Sequence, residues 1–224
     1  MGILDGLLEL VAPTRCAGCE LPGALLCVRC DEALPRVHTA RACLRCGAPY
    51  GALVCTECWS TEYAFESAVS VGELDGALAR AIVLHKDAGE RRLGHILGTM
   101  LGSKVEEVWP GWAQTVTWIP PSKAAIARRG FDHGRALAEP VGLLTQTEAR
   151  VLLGRSYARD QRRLGRGARL AGASGSFSPV GAARGHVLIV DDVMTTGATL
   201  DAAAAALLEA GASSVRVAVV ARAW

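Results

Sequence analysis

The sequence is poor in the features that mark polycationic, aromatic or membrane-spanning proteins. Its formal net charge is only +2 at pH 7, too small for the whole surface to attract nucleic acid or an anionic membrane. Aromatic residues make up 5% of the chain, which leaves little material for an extended base-stacking platform. We find no run of roughly eighteen apolar residues and no basic region typical of a secretory signal at the start. We therefore expect a cytoplasmic protein without membrane insertion.

Several nucleotide-binding and catalytic motifs are missing as well. The chain contains neither a GxxxxGK[ST] phosphate loop nor a Rossmann glycine fingerprint. Its five histidines have no mutual spacing typical of a metal site or a catalytic triad, so we assign no catalytic histidine. What remains is a chain of 224 residues, 50% hydrophobic, which is long enough for one full domain and a smaller module.

Cysteine is the first residue type with an informative pattern. All eight cysteines fall into CxxC pairs, in which two thiolates can point at one ion from a tight turn. Four thiolates satisfy a structural Zn²⁺, so we expect two zinc ions. Sequential pairing of neighbouring motifs needs the shorter loops and is favoured. The expected ligands form two sets, namely Cys16, Cys19, Cys27 and Cys30, and Cys43, Cys46, Cys55 and Cys58.

Two alternatives to zinc stay open at this point. A disulfide framework is disfavoured because it belongs mainly to small secreted domains. An iron-sulfur cluster also uses thiolate ligands, and the spacing alone does not separate it from zinc.

After the last cysteine, short apolar runs alternate with longer helical patterns, which is typical of an α/β fold. The sequence predicts strands at 68–71, 116–119, 150–153, 187–190 and 215–221. It predicts helices at 74–85, 91–108, 135–144 and 198–210. Because most of the strands are continuous apolar runs, we expect a mostly parallel sheet covered by helices on both faces. We place the boundary between an N-terminal module, 1–60, and this α/β domain, 61–224, just after the cysteines.

The segment 187–200, VLIVDDVMTTGATL, predicts a phosphate-binding turn. A buried strand delivers Asp191 and Asp192 to the edge where open α/β sheets bind ligands. A threonine-rich turn then leads into a helix, whose N-terminal amides can hold a phosphate. Carboxylates accept hydrogen bonds from sugar hydroxyls, so the expected ligand is a sugar phosphate.

This segment resembles the loop that binds phosphoribosyl pyrophosphate (PRPP) in type I phosphoribosyltransferases. Together with the cysteine pairs, it makes the chain similar to the ComF family, competence-associated proteins with an N-terminal double zinc ribbon and a phosphoribosyltransferase-like domain. The resemblance implies catalytic roles for Asp191 and Asp192. It also implies PRPP contacts from Val193, Met194, Thr195, Thr196, Gly197, Ala198 and Thr199.

A second segment, WIPPSKAAIARRGFDH at 118–133, is similar to the proline-containing pyrophosphate loop and the RGF signature of that family. By this resemblance the candidate pyrophosphate or lid residues are Pro121, Ser122, Lys123, Arg128 and Arg129. Without the resemblance, paired arginines in a loop are solvated charges.

Positive charge is concentrated between residues 151 and 180. Arginines recur there at helical spacing, and we expect them to form a nucleic-acid patch or a solvated helix face. The patch consists of Arg159, Arg162, Arg163, Arg166 and Arg169.

Two functions follow from the resemblance. In the first, the protein binds PRPP with Mg²⁺ and transfers ribose 5-phosphate to an unidentified acceptor, a pentosyl transfer linked to DNA uptake. In the second, it is a non-catalytic PRPP sensor that binds single-stranded DNA through the zinc module and the arginine patch. Other DNA-uptake proteins are further expected partners.

Overall fold

The computed structural model describes residues 13–51, 53–155 and 176–223. The elements of these residues, in chain order, are α1 (Val28–Glu32), a 3-10 turn (Thr39–Arg41), α2 (Thr56–Trp59), β1 (Ala68–Glu73), α3 (Gly76–Lys86), α4 (Arg92–Val108), β2 (Thr115–Trp118), α5 (Lys123–Arg129), α6 (His133–Leu144), β3 (Leu153–Arg155), β4 (Phe177–Pro179), β5 (Gly185–Met194), α7 (Ala198–Glu209) and β6 (Ala212–Arg222). None of the described helices is both long enough and apolar enough to cross a membrane.

The main sheet has four strands in the order β1-β6-β5-β2, and all three pairings are parallel. The carboxyl ends of all four strands therefore lie at one edge. Helices cover the sheet, so the predicted fold class, a mostly parallel sheet flanked by helices, is confirmed. The sequence of β5 runs through Asp191 and Asp192 before the strand ends at Met194.

Alternate residues of β5 pack against different helices, because successive side chains in a strand point to opposite faces. Val187 and Ile189 belong to a core that contains α7 residues such as Leu207. Leu188 and Val190 belong to a second core formed with α3, α4 and α6. All four strand residues are fully buried. Burial on both faces explains why the strand is a continuous apolar run.

Helices α4 and α6 pack closely through small residues. A Cβ atom at Gly98 of α4 would lie 2.6 Å from the carbonyl oxygen of Leu137 in α6. The missing side chain therefore lets the two backbones approach one another. This packing places the first residue of α6, His133, at the carboxyl edge of the sheet.

The predicted strand at 150–153 is wrong in its position. The structure forms β3 at Leu153–Arg155, paired antiparallel with β4 in a separate two-stranded sheet. Upstream of it, Ala149 makes only an isolated parallel bridge to Val116 of β2. Leu152 and Leu153 are buried in the α7-side core, so their apolar character comes from that packing and not from membership of the main sheet.

Candidate functional site

An open cleft of about 470 Å³ lies at the carboxyl edge of the sheet, beyond the ends of β2 and β5. It is lined by Lys86, Ile119, Pro120, Pro121, Ser122, Ala125, Arg129, His133, Arg155, Asp191, Asp192, Val193, Thr195 and Thr199. Residues from four separate segments of the chain, 86, 119–133, 155 and 191–199, thus meet where parallel α/β sheets bind ligands.

The two aspartates at the end of β5 have different surroundings. Asp192 is buried, and its Oδ2 lies 2.6 Å from Nζ of Lys86 and 3.9 Å from Nε2 of His133. Among the described residues no contact of Oδ2 satisfies hydrogen-bond geometry, so charge attraction holds the Lys86 pair together. Asp191 is half-buried, and its Oδ1 accepts a hydrogen bond from the Asp192 amide at 2.9 Å.

Burial, with a contribution from the neighbouring Asp192 carboxylate, raises the pKa of Asp191 from 3.8 to about 7. Burial also lowers the pKa of His133, which favours the neutral imidazole. The site therefore holds a carboxyl group that changes its charge near neutral pH, beside a histidine that stays neutral.

The Asp191 carboxyl gives a testable pH dependence. Because its pKa is higher in the folded than in the unfolded chain, its contribution to folding is greatest at low pH and is lost as the pH rises from about 4 through 7. We expect Asp191→Asn to be more stable than the parent at pH 8 by about 1–2 kcal/mol, and to differ less at pH 5. Urea denaturation at both pH values measures this, with Glu62→Gln at an exposed position as the control. An equal difference at both pH values would contradict the shift.

The turn after β5 is shaped to receive an anion. Thr195, Thr196 and Thr199 are exposed, and α7 begins at Ala198. Gly197 has a φ of 81°, and a Cβ atom there would lie 2.6 Å from Cε of Met194. The positive φ favours glycine at this position. The N-terminus of a twelve-residue helix thus lies beside the two aspartates, and its Ala198 amide is bonded to the Thr196 hydroxyl at 3.4 Å.

The structure brings only part of the candidate pyrophosphate segment into the cleft. Pro121, Ser122 and Arg129 line it, whereas Lys123 and Arg128 are exposed and outside its lining. The segment is helix α5 and not a loop. The Ser122 side chain accepts a hydrogen bond from the Ala125 amide at 3.1 Å and caps this helix.

Arg129 is fixed in place by neighbouring groups. One guanidinium nitrogen lies 3.0 Å from Oδ1 of Asp87, and the other lies 3.3 Å from Nδ1 of His133. Its side chain is only 10% exposed. The solvated-charge interpretation therefore applies to Arg128 but not to Arg129.

Sequence reasoning did not assign a role to three polar residues that line the cleft. Lys86, His133 and Arg155 come from segments that are distant from the phosphate turn. Arg155 donates to the carbonyl of Pro120 at 2.8 Å and stacks over the Phe177 ring. Two signals were available. His133 ends the 118–133 segment described above, and His85-Lys86 ends a predicted helix, where a cationic helix end is a sufficient structural explanation.

The eight cysteines form two groups of four in sequential pairing, as expected. Within each group the four sulfur atoms lie within 4.8 Å of one another, and all eight thiols are free of disulfide bonds. The sulfur separations between Cys19 and Cys27, 3.8 Å, and between Cys46 and Cys55, 3.6 Å, match the ~3.8 Å edge of a tetrahedral zinc-thiolate site. These geometries fit two structural zinc ions.

Backbone amides support thiolates at the first cysteine of each group. The sulfur of Cys16 accepts N–H bonds from Gly18 and Cys27, and that of Cys43 accepts one from Cys55. Burial opposes ionisation of both thiols. The amide donors nevertheless lower the pKa of Cys16 to about 6 and that of Cys43 to about 7.

The arginine patch predicted at Arg159, Arg162, Arg163, Arg166 and Arg169 lies outside the described residues.

Comparison with known proteins agrees with this geometry. Residues 155–223 match the model of the phosphoribosyl transferase domain family, so this part of the chain, which contains the phosphate turn, is similar to phosphoribosyltransferases. Its relatives include DNA utilization protein YhgH of Salmonella typhi, which is 28% identical over 228 residues, 93% of this chain and 96% of that protein. YhgH of Escherichia coli K12 is 26% identical over 224 residues with the same shares. The predicted resemblance to the ComF family is thereby confirmed.

A solved structure described as the allosteric regulatory enzyme of purine biosynthesis is 25% identical, with a TM-score of 0.41. The overlap covers 56% of this chain and 25% of that one.

Proposed function

We propose that the protein binds PRPP together with Mg²⁺ in the cleft and transfers ribose 5-phosphate to an acceptor, with pyrophosphate as the leaving group. One observation carries this proposal: an open helix N-terminus and a carboxylate pair share one sheet edge. The amides and threonine hydroxyls of the turn suit the 5-phosphate. The Asp191 and Asp192 carboxylates suit the ribose hydroxyls.

The residues around the carboxylates also fit Mg²⁺. Donor atoms of His133, Asp191 and Asp192 lie within 4.8 Å of one another, and carboxylate oxygens are the ligands that Mg²⁺ prefers. When bound, Mg²⁺ supplies charge neutralisation for the departing pyrophosphate. Arg129 and Lys86 provide positive charge on the same side of the cleft. The carboxylates would stabilise positive charge that develops on the ribose.

The cellular location and the domain boundary are further parts of the proposal. Eight free thiols in metal-type clusters suit a reducing compartment, which supports a cytoplasmic location. A boundary near residue 60 is supported by the end of α2 at Trp59 and the start of β1 at Ala68.

The phosphate turn gives the first test of the proposal. We expect Thr196→Val and Asp191→Ala to weaken PRPP binding by about 1–3 kcal/mol, because each removes one hydrogen-bonding partner of the ligand. Isothermal titration of PRPP in Mg²⁺ buffer measures this, and Thr39→Val, whose hydroxyl pairs with Glu107 on α4, is the matched control. Equal affinity of both site variants and the parent would refute the proposed site. If PRPP binds as proposed, a screen with bases and nucleotides as acceptors separates an enzyme from a sensor. Release of pyrophosphate indicates an enzyme, and binding without release indicates a sensor.

Single-stranded DNA is the second candidate ligand, supported by the name of the YhgH relatives and by the arginines between 151 and 180. Affinity for single-stranded DNA should then decrease as the salt concentration rises. For five phosphate contacts, a plot of log affinity against log salt concentration should have a slope of about −3.5. Replacing Arg162, Arg163 and Arg166 together should flatten the slope by up to about 2. Fluorescence anisotropy at several salt concentrations measures it. An unchanged slope would remove the patch from DNA binding.

A further inference from the structure

Arg222, the last residue of β6, is a buried cation directly behind the phosphate turn. Its side chain is 1% exposed, although arginine is among the residues least often buried. Burial of a guanidinium is unfavourable unless its donors are paired. Its partners therefore show what the residue does.

One side of the Arg222 guanidinium holds the backbone of the turn. Its Nη1 donates to the carbonyls of Met194, at 3.2 Å, of Thr195 and of the adjacent Ala223. The Met194 carbonyl also accepts the Ala223 amide at 2.9 Å, so Arg222 is its second donor. Among the described residues, Nε of Arg222 has no hydrogen-bond partner. The next carbonyl, that of Thr196, accepts a hydrogen bond from the Tyr63 hydroxyl at 3.1 Å. Side-chain hydrogen bonds thus hold three consecutive carbonyl groups, those of residues 194, 195 and 196.

This arrangement sets the direction of the amides. In a trans peptide the C=O and the following N–H point in opposite directions. Arg222 and Tyr63 hold three carbonyls, those of residues 194, 195 and 196, on one side of the turn. The N–H groups of residues 195, 196 and 197 therefore point to the opposite side. Those are the donors that an anion at the start of α7 would use.

The other side of the guanidinium faces the second four-cysteine group. Its Nη2 lies 4.0 Å from the buried sulfur of Cys46 and 3.3 Å from Oε2 of Glu57, which lies between two of the cysteines in sequence. The Glu57 side chain is 66% exposed, so the cysteine sulfur is the buried partner. Four thiolates around Zn²⁺ carry net negative charge, which attracts a buried cation.

We propose that Arg222 is a positioning residue through which metal binding at the second four-cysteine group sets the affinity of the phosphate turn for PRPP. The inference rests on the proposed function and adds a form of regulation to it. Loss of the metal lets the thiolates take up protons, which removes the negative charge that holds Arg222 in place. The guanidinium then releases the Thr195 carbonyl, and the anion cradle loses the fixed direction of the Thr196 amide.

The first four-cysteine group provides the matched comparison. Its nearby arginine, Arg80 on α3, donates to the carbonyl of Gly18 within the metal-binding turn. Replacing Arg80 therefore removes an arginine contact to a cysteine group without removing one from the phosphate turn.

The coupling is tested by measuring each affinity in the presence of the other ligand. Linkage is reciprocal. If bound zinc increases the affinity for PRPP, then bound PRPP must increase the affinity of the protein for that zinc ion by the same factor. We expect saturating PRPP with Mg²⁺ to raise the affinity of one of the two zinc ions by about tenfold, measured by equilibrium competition with a chromogenic chelator. Arg222→Gln should abolish this effect and raise the Kd for PRPP by about tenfold, with two zinc ions still bound. Arg80→Gln should retain the effect.

The outcomes separate this inference from the proposed function. A parent chain that binds PRPP with the same zinc affinities in its presence and absence would overturn the coupling and leave PRPP binding intact. A parent chain that does not bind PRPP would overturn both. The zinc competition uses the unmodified protein, so it tests the coupling even if Arg222→Gln fails to fold. Glu57→Gln, at an exposed position, provides a milder second variant.

Discussion

Replacing Cys58 with serine is expected to remove one zinc ion per chain and to destabilise the four-stranded main sheet with its helices. Cys58 is fully buried and shares a hydrophobic core with Val217 and Val219 of the central strand β6. Structural zinc contributes roughly 10–16 kcal/mol in small metal-binding domains, which equals or exceeds the 5–15 kcal/mol stability of a typical protein. Loss of this zinc site should therefore also destabilise the main sheet.

The expected size is a fall in melting temperature of roughly 10 °C or more, measured by calorimetry alongside metal analysis. The matched control is Cys30→Ser in the first group, none of whose cysteines belongs to a described core cluster. It should also release one zinc ion, but with a smaller loss of stability. A parent chain with a single zinc ion, or with iron-sulfur absorbance, would contradict the assignment. So would equal destabilisation by both variants.

The second large effect concerns the ion pair in the cleft. Lys86→Met removes the closest cationic partner of Asp192, whose side chain is only 5% exposed. Breaking a buried ion pair leaves an uncompensated charge, which typically costs about 3–5 kcal/mol of stability. Because the Lys86 side chain is 31% exposed, we expect the free energy of unfolding to fall by a smaller amount, about 2–4 kcal/mol. Urea denaturation at pH 7 measures it.

A double-mutant cycle separates the charge effect from lost packing. The Lys86→Met/Asp192→Asn double variant should recover much of the stability, because the stranded charge is gone. The exposed pair between Arg135 and Glu139 is the control, and Arg135→Met should change stability far less than Lys86→Met, because water screens an exposed ion pair. If Lys86→Met behaves like Arg135→Met, the Lys86 pair does not hold the site together.

The features that sequence analysis could predict are those encoded within one short segment. The CxxC pairs bring their sulfurs together through local turns, so their grouping follows from spacing. The phosphate turn is likewise one strand, one turn and one helix start, all between Val187 and Leu200. The strands of the main sheet were recognisable because burial on both faces requires continuous apolar runs.

The features that it missed depend on contacts between distant segments. Lys86 reaches Asp192 only because α3 ends at the carboxyl edge of the sheet. Arg222 contacts Cys46 across 176 residues of chain, and no local pattern encodes that. The α5 helix is different, since its sequence does carry signals: Ser122 caps its start and Gly130, with a φ of 73°, follows its end.

Hydrogen–deuterium exchange of the zinc-loaded chain, with and without PRPP and Mg²⁺, tests the central claim most directly. If the phosphate turn is the binding site, amides in peptides that cover residues 191–199 should exchange more slowly with PRPP, and those of α5 at the cleft should follow. Peptides from the first four-cysteine group should not change. Saturating PRPP that protects no amide between 191 and 199, or that protects a different surface alone, would contradict the account.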